Sequence, residues 1–250
     1  MNQLAEKLVS LTADIGNALG RLGEYVDTGY DFGQNNGMGN SPGTTQVASE
    51  TVYPGQDRYM LWIDGVGAYR LCLGERVTFG GPHPDGNLAD IALLANLSGR
   101  HASVVRNREG YLLEAHAPVR VAARIVEGRA LLSDGQEIDL GCGVRLRFRL
   151  PTVLSMTATI DFLSDHRPAQ SVDGVILMDE TCLLGPGPEN HIRCCDWKLS
   201  VLLSRRGGEL SCKSRGEILL DGRRSNGTTA VRPGEVVSGA DFAFRIEALN

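Results

Sequence analysis

The sequence predicts an all-β fold, in which two β-sandwiches follow one another after an N-terminal amphipathic helix and a flexible linker. Three observations predict it. From residue 58 onward, short apolar stretches alternate with turn residues, which is typical of an antiparallel β-sandwich. The same order of stretches occurs twice, in copies of about 95 residues each. Residues 1–57 differ from both copies and carry seven acidic against two basic residues.

Residues 1–27 predict the helix, because apolar side chains recur there at steps of four and three and so share one face over about three heptads. These residues are Leu4, Leu8, Leu11, Ile15, Ala18 and Leu22. Such a helix either packs on a domain or another protein, or pairs with a second copy as a short coiled coil that makes the protein a homo-oligomer. Residues 28–57 are rich in Gly, Asn, Ser and Thr, a composition typical of a flexible linker.

The first copy, residues 58–151, contains the clearest strand. In VRLRFRL, residues 144–150, apolar side chains alternate with Arg145, Arg147 and Arg149, so the arginines share one face of the strand. That face is either a solvated sheet surface or an anion-binding surface. The copy has twelve arginines, ten acids and no lysine, and arginine suits forked recognition of oxyanions.

The second copy is predicted to span residues 152–250. ERVTFGGPHPDGNLADI matches DETCLLGPGPENHIRCC, and ASVVRNREGYLLEA matches SVLLSRRGGELSCK. Each copy is long enough to bury a core of its own. The stretch that joins them, LPTVLSMTA, is short, and we expect it to hold the two sandwiches in one orientation.

Composition argues against several functional classes. The net charge is −5, and beyond residue 57 the chain has 23 charges of each sign, so the basic footprint of a nucleic-acid binder is missing. No apolar run is long enough for a membrane span and no secretory signal is apparent, so we expect a cytoplasmic protein. Neither a nucleophile elbow nor a nucleotide loop occurs. The protein is therefore predicted not to be an enzyme and to need no cofactor.

The six cysteines are irregularly spaced, which favours reduced, mostly buried thiols over a disulfide framework. His191, Cys194 and Cys195 offer an alternative, a metal site completed by Cys182 or Cys212. Adjacent cysteines on a strand point to opposite faces, however, and structural zinc prefers spaced pairs. We therefore predict no metal site.

A polar cluster precedes an apolar stretch in LSGRHASVV, residues 97–105. Ser98, Arg100 and His101 there suit a phosphate-holding loop, an ordinary turn whose histidine packs, or a serine–histidine nucleophile pair. A phosphothreonine carries about −1.5 to −2 charge and three acceptor oxygens, and it is bound by hydroxyl donors, backbone N–H groups and arginine. Ser98, Arg100 and nearby Asn96 supply such donors. A serine and a histidine three residues apart in a loop do not form an activated pair.

In this context the first copy resembles a forkhead-associated (FHA) domain, a β-sandwich that binds phosphothreonine peptides. The likeness covers nearly all of residues 59–151. It rests on RVTFG at 76–80, Asp90-Ile91, Ser98-x-x-His101-Ala102, Gly110-Tyr111 and DGQEIDLG at 134–141.

The resemblance implies a binding surface on loops at one end of the sandwich. Ser98 would donate to a phosphate oxygen and His101 would brace the loop, with Asn96, Arg100 and Gly80 as the other binding positions. Two positions depart from the family. Gly81 stands where the family has an arginine that grips the phosphate, and Ala122-Ala123 stands for an Asn-Gly pair that holds the peptide backbone.

The second copy departs further. Pro186 follows Gly185, and aligning SVLL with ASVV places Asp196 opposite Ser98 and Leu199 opposite His101. Asp221-Gly222 is its nearest match to the Asn-Gly turn. We expect this copy to be FHA-like in fold and without phosphopeptide binding.

Two functions follow from the residues and the resemblance. The first is a phosphothreonine-peptide-binding signalling adaptor in a Ser/Thr kinase pathway, whose partner is a phosphothreonine protein such as a kinase or its substrate. The alternative is a phospho-independent scaffold built from degenerate FHA domains.

Overall fold

The computed structural model of the protein describes residues 58–83, 88–225 and 227–249. The helix predicted for residues 1–27 and the linker predicted for 28–57 lie outside this range. The described residues are all-β, as predicted, and none of them forms a helix long and apolar enough to cross a membrane.

The described residues form 22 strands. The first eleven are β1 (Arg58–Ile63), β2 (Gly67–Cys72), β3 (Arg76–Gly80), β4 (Ile91–Ala92), β5 (Ala102–Asn107), β6 (Gly110–Ala115), β7 (Arg120–Val121), β8 (Arg124–Ile125), β9 (Arg129–Leu132), β10 (Glu137–Gly141) and β11 (Val144–Arg149). The next eleven are β12 (Ala158–Phe162), β13 (Gly174–Leu177), β14 (Thr181–Gly185), β15 (Ile192–Arg193), β16 (Val201–Arg206), β17 (Glu209–Ser214), β18 (Ile218–Leu220), β19 (Arg223–Ser225), β20 (Thr229–Val231), β21 (Val236–Ser238) and β22 (Ala243–Ala248).

These strands form one long sheet and two short ones. The long sheet has twelve strands in the order β19-β18-β21-β22-β1-β2-β13-β12-β11-β10-β7-β8. The short sheets have the orders β4-β3-β5-β6-β9 and β15-β14-β16-β17-β20. The two short sheets correspond strand for strand, and so do the two halves of the long sheet. The internal repeat seen in the sequence is thus a repeat of topology.

The two copies exchange their first hairpins. β1 and β2 belong to the first copy by sequence, yet β1 pairs with β22 of the second copy. The matching hairpin of the second copy, β12 and β13, pairs with β11 of the first. β2 and β13 then lie side by side in parallel and join the halves of the long sheet. The boundary between residues 151 and 152 remains a prediction about the sequence copies, and each sandwich takes strands from both sides of it.

We call the sandwich that contains the sheet β4-β3-β5-β6-β9 sandwich one, and the other sandwich two. The core of sandwich one includes Phe79, Tyr111 and Phe148 together with Ile160 of the exchanged hairpin. The core of sandwich two likewise includes Leu61 of its exchanged hairpin. Apolar burial drives both associations, so each core depends on the other copy's hairpin.

The strands at the centre of the long sheet are buried on both faces. In β13, Val175 and Leu177 enter the core of sandwich one, while Ile176 enters that of sandwich two. In β2, Cys72 likewise enters the core of sandwich one, while Leu71 enters that of sandwich two. The two short sheets therefore cover opposite faces of the long sheet at its centre.

Two arginines at matching positions of the two copies contact the segments that follow the exchanged hairpins. Arg106, at the end of β5, lies with its Nε 3.4 Å from Asp179 Oδ1, just beyond β13. Arg205, at the same position of β16, donates from Nη1 to Leu73 O at 2.5 Å, just beyond β2. Each side chain thus reaches from its own sandwich to the segment that follows the exchanged strand.

The arginine ladder of β11 lies on a solvated sheet face. Arg147 Nη2 is 3.1 Å from Glu137 Oε1, and Arg149 Nε is 3.6 Å from Asp134 Oδ1. Val144, Leu146 and Phe148 on the opposite face are buried. Two of the three arginines therefore pair with acids of the same sandwich rather than standing ready for an external anion.

Candidate functional site

The loop between β4 and β5 carries the predicted polar cluster, and its backbone packs directly against Gly80 and Gly81. Gly81 N donates to Ser98 O at 2.9 Å, and Leu93 N donates to Gly80 O at 2.7 Å. A Cβ atom on Gly80 would lie 2.2 Å from Gly99 O, and one on Gly81 would lie 2.4 Å from Leu97 O. Both glycines are needed because loop backbone occupies the space of a side chain.

His101 holds this loop from below. It is buried, and its Nδ1 accepts from the backbone N–H of Ser98 at 3.3 Å while its Nε2 lies 3.3 Å from Pro118 O. This pattern requires a neutral ring with its proton on Nε2. His101 O also accepts from the backbone N–H groups of His116 and Ala117. The residue thus joins the Ser98 loop to the loop after β6.

Ser98, Arg100 and Asn96 are exposed on the loop that His101 and the glycines support. Within the described residues, the Ser98 hydroxyl has no hydrogen-bond partner and the Arg100 guanidinium has no acid partner. The backbone N–H groups of Gly99 and Arg100 also lack an acceptor in this part of the chain. The loop therefore presents a hydroxyl, two N–H donors and a cation together. Gly80, by contrast, is buried beneath it.

The structure argues against the alternative in which Ser98 and His101 form a nucleophile pair. His101 faces the backbone N–H of Ser98 and not its hydroxyl. A closer pair, which the sequence did not suggest, is Ser103 with His116, whose Oγ and Nε2 lie 2.9 Å apart. Ser103 is buried and its hydroxyl also contacts Thr78 Oγ1. This hydrogen bond joins β5 to the loop that follows β6 in sandwich one.

At Gly81 the structure explains the departure from the family pattern. An arginine there would bring its Cβ within 2.4 Å of Leu97 O and 3.0 Å of Ala95 O. Backbone oxygens cannot rotate away as a flexible side chain would. The loop therefore occupies the space through which the family's arginine would leave the strand.

Ala122 and Ala123 form the two-residue turn between β7 and β8. Their φ angles are +47° and +65°, the left-handed values for which Asn-Gly is preferred in such hairpins. The corresponding turn of the second copy holds Asp221 and Gly222 at +47° and +77°. The predicted correspondence of these two pairs is confirmed by their positions in equivalent hairpins.

Strand pairing corrects the alignment of the second copy by one residue. Ala102 pairs with Phe79, and Val201 pairs with Leu184, the residue that likewise precedes the strand-ending glycine. Ser200, rather than Leu199, therefore corresponds to His101. The loop before β16 has seven residues where the loop before β5 has nine, so strand pairing assigns no counterpart to Ser98. The error arose because SVLL and ASVV match in composition one residue out of register. Trp197 is buried against Phe242, with ring centroids 5.3 Å apart.

Three cysteines of the metal-site alternative, Cys182, Cys194 and Cys212, lie in the core of sandwich two, whereas Cys195 is exposed. Cys182, Cys194 and Cys212 are buried free thiols, and burial raises the pKa of Cys212 to about 11. His191 Nδ1 accepts from Leu183 N at 2.9 Å, and burial lowers the pKa of its ring to about 4. No group of three or more His, Cys, Asp or Glu side chains in the described ranges is arranged to hold a metal ion.

Sequence reasoning missed one segment beside the site, the loop between β12 and β13. Leu94 N donates to Arg167 O at 3.0 Å, and Ala169 N donates to Ala92 O at 2.7 Å. Leu93 also forms a bridge with Pro168. No sequence pattern could have placed this segment there, because by the repeat it belongs to the second copy.

Comparison with known proteins adds two solved structures. One is the FHA domain of the CT664 protein from Chlamydia trachomatis, with 26% identity over 34% of this chain and 90% of that chain, at a TM-score of 0.26. The other is the N-terminal FHA domain from EssC, a component of the bacterial Type VII secretion apparatus. It has 10% identity over 77% of this chain and 95% of that chain, at a TM-score of 0.22.

Both are forkhead-associated domains. The chain is similar to FHA domains, the family that its own motifs indicate. No family model and no curated protein matches it.

Proposed function

We propose that this protein is a phosphothreonine-peptide-binding adaptor of a Ser/Thr kinase pathway, and that it binds its phosphorylated partner on the Ser98 loop of sandwich one. The observation that carries the proposal is a set of donors on that loop that have no partner among the described residues: the Ser98 hydroxyl, the Gly99 and Arg100 N–H groups and the Arg100 guanidinium. Burial of His101 and the glycine contact below keep these donors in place.

The chemistry of a phosphate monoester suits this set. Its three oxygens accept from a hydroxyl and from backbone N–H groups, and its charge attracts an arginine. A charged hydrogen bond contributes about 1.5–3 kcal/mol. Arg100 supplies one cation on the loop, so the absence of an arginine at position 81 weakens phosphate binding without removing every charged donor.

The alternative, a phospho-independent scaffold, is favoured by a specific observation. The space for an arginine at position 81 is filled by the Leu97 carbonyl. In sandwich two, the loop before β16 is two residues shorter than the Ser98 loop, and its Trp197 is buried. A protein that had lost phosphate binding and acted only as a scaffold would show both features.

Binding of the whole chain to a degenerate phosphothreonine peptide library, beside its unphosphorylated twin, decides between the two. The whole chain is required because each sandwich contains a hairpin of the other copy. Ser98→Ala is expected to weaken phosphopeptide binding by about one to two powers of ten. Ser133→Ala is the matched control, because Ser133 is exposed and lies in the turn before β10. Cys142, which contacts Asn96 of the Ser98 loop, lies at the other end of that strand. Equal binding to both libraries would refute the adaptor and support the scaffold.

Self-association through residues 1–27 stays a prediction of the sequence. The mass of the full chain in solution, measured beside a chain that lacks residues 1–27, tests it. A mass per chain that does not change on truncation would contradict the coiled coil.

A further inference from the structure

The long sheet presents an outer face on each half, turned away from the short sheet that covers that half. In β11, Arg147 lies on the outer face and opposite Asp161 of β12. In β22, Arg245 lies on the outer face and opposite Trp62 of β1. The next residue of each of these two strands accepts from a turn glycine through its carbonyl, at 2.9 Å in sandwich one and 2.7 Å in sandwich two. The two outer faces therefore correspond residue by residue.

These equivalent faces differ in their chemistry. The positions around Arg147 are all charged, and they hold Asp161, Glu137, Asp139, Arg120 and Arg145. The equivalent positions around Arg245 are all uncharged, and they hold Trp62, Val236, Ser238, Leu219 and Ala243. The core of sandwich two does not require this change, because these side chains lie on the opposite face of their strands from the core. A group of exposed apolar side chains on a sheet face marks an interaction surface.

Trp62 is the largest exposed side chain of this group. It is 42% exposed, and Val236, on the other side of β22, is 40% exposed. Trp62 Nε1 donates to Glu247 Oε2 at 2.8 Å, and Arg245 Nη2 lies 2.8 Å from Glu247 Oε1. The glutamate therefore holds the edge of the indole ring and pairs with the arginine, while part of the ring stays open to solvent.

A depression of about 750 Å³ lies beside Trp62, and two carboxylates line it. Asp64 belongs to the turn between β1 and β2, and Asp173 belongs to the loop before β13; both are exposed. Asp173 Oδ2 accepts one backbone N–H at 2.9 Å, and neither carboxylate forms an ion pair in the part of the chain that the structure describes. Arg245 also lines the depression but is paired with Glu247. The depression therefore combines an excess of negative charge with an exposed aromatic ring.

We infer that this surface binds a segment of a partner protein that presents a lysine or arginine side chain between apolar residues. The surface, called the Trp62 surface, consists of Trp62, Asp64, Asp173, Val236 and Arg245. The face of an indole ring attracts a cation, the two carboxylates pair with it, and the apolar neighbours of the cation cover Val236. The inference does not depend on the proposed function, because the Ser98 loop belongs to sandwich one.

A second copy of the chain suits this surface less well than a cationic partner does. Two copies that met in a symmetric dimer would each contribute the same surface. The carboxylates of Asp64 and Asp173 from both copies would then share one interface, where like charges oppose association. The net charge of the chain, −5, acts in the same direction.

The test compares two libraries of peptides that have apolar residues around one fixed position, which is arginine in the first library and glutamine in the second. Binding to the full chain is measured by fluorescence polarisation of the labelled libraries at low ionic strength, where exposed charges are least screened. The wild-type chain is expected to bind the arginine library more tightly. Trp62→Gln should weaken that binding about three- to thirtyfold, and Trp62→Phe, which keeps an aromatic face, should weaken it less. Asp64→Asn should weaken it about two- to fivefold.

Glu137→Gln is the matched control, because Glu137 holds the position of Val236 on the outer face of sandwich one, and it should leave binding unchanged. All variants should keep the unfolding midpoint of the wild type, because the bond between Trp62 and Glu247 is exposed.

Equal binding of the two libraries, including no binding of either, would overturn the inference, and so would equal binding by wild type and Trp62→Gln. A concentration-dependent dimer that Trp62→Gln dissociates would also overturn it and would assign the surface to a second copy. Phosphopeptide binding on the Ser98 loop should be the same in every variant, so failure of this inference leaves the proposed function standing.

Discussion

The turn between β7 and β8 is strained, and replacing Ala122-Ala123 by Asn-Gly is expected to stabilise the protein. Both alanines are exposed and adopt positive φ angles, +47° and +65°. The Ala122 N–H donates to Glu137 O at 2.9 Å, and an asparagine retains this donor. The double substitution therefore changes the backbone preference of the turn and removes no buried contact.

The magnitude follows from the cost of left-handed backbone. An L-residue with a Cβ atom pays about 1–2 kcal/mol there, while glycine pays little and asparagine is tolerated. Glycine gives back about 0.4–1 kcal/mol because it is freer in the unfolded chain. The net gain in the free energy of unfolding is about 1–2 kcal/mol. For a unit of this size, the melting temperature should rise by roughly 3–6 °C.

Urea unfolding of the full chain, followed by tryptophan fluorescence, measures this gain. The second copy supplies the matched control, because Gly222 occupies the equivalent turn at φ +77° and a Cβ there would meet no atom within 4 Å. Gly222→Ala should therefore cost about 1 kcal/mol through backbone strain alone. An Asn-Gly variant no more stable than wild type, beside a Gly222→Ala variant of unchanged stability, would refute the argument from backbone strain.

Three further predictions concern the two cores and Gly81. Fragments 58–151 and 152–250 should each fail to fold alone and should give cooperative unfolding when mixed, because each lacks a hairpin of its own core; a cooperative transition from either fragment alone would contradict this. Burial lowers the pKa of His191 to about 4, so between pH 6.5 and 4 the unfolded chain binds a proton that the folded chain excludes. Stability should fall by about 3 kcal/mol as the pH drops through that window, and His191→Asn should flatten the urea midpoint between pH 7 and pH 4.5. Gly81→Arg should lower both the melting temperature and the phosphopeptide affinity, because Leu97 O fills the space of the new Cβ atom. Tighter phosphopeptide binding would contradict this and show that the loop moves to admit the side chain.

The strands themselves were predictable because their patterns are local. VRLRFRL alternates at a period of two, and in β11 its apolar members Val144, Leu146 and Phe148 are indeed buried. The repeat predicted two sandwiches for the same reason. The exchange of hairpins was not predictable. β1 and β12 are both apolar strands that begin a copy, and nothing within either strand tells which of two similar sheets it will join.

At the candidate site, the sequence motif predicted some features, and only the folded structure explains others. The Ser98-x-x-His101 spacing predicted the exposed hydroxyl and the buried histidine that the structure places there. The reason for glycine at position 81 depends on a carbonyl sixteen residues away, at Leu97, so only the folded loop explains it. The counterpart of His101 in the second copy was predicted one residue out of register, at Leu199 and not Ser200, because an apolar match between two strands can slip by one residue without an obvious penalty in sequence.

The exchange also explains why a second copy without a phosphate loop has a structural role. Ile160 and Leu177 of its hairpin are buried in the core of sandwich one, and burying a large aliphatic side chain contributes about 1.5–3 kcal/mol each. Arg167 of the loop between these strands is bonded to the chain that leads to Ser98. Changes that remove phosphate chemistry from sandwich two leave these contacts untouched, whereas changes in β12 or β13 act on the core and the site of sandwich one together. The two copies are therefore free to differ in their loops but not in the hairpins that they exchange.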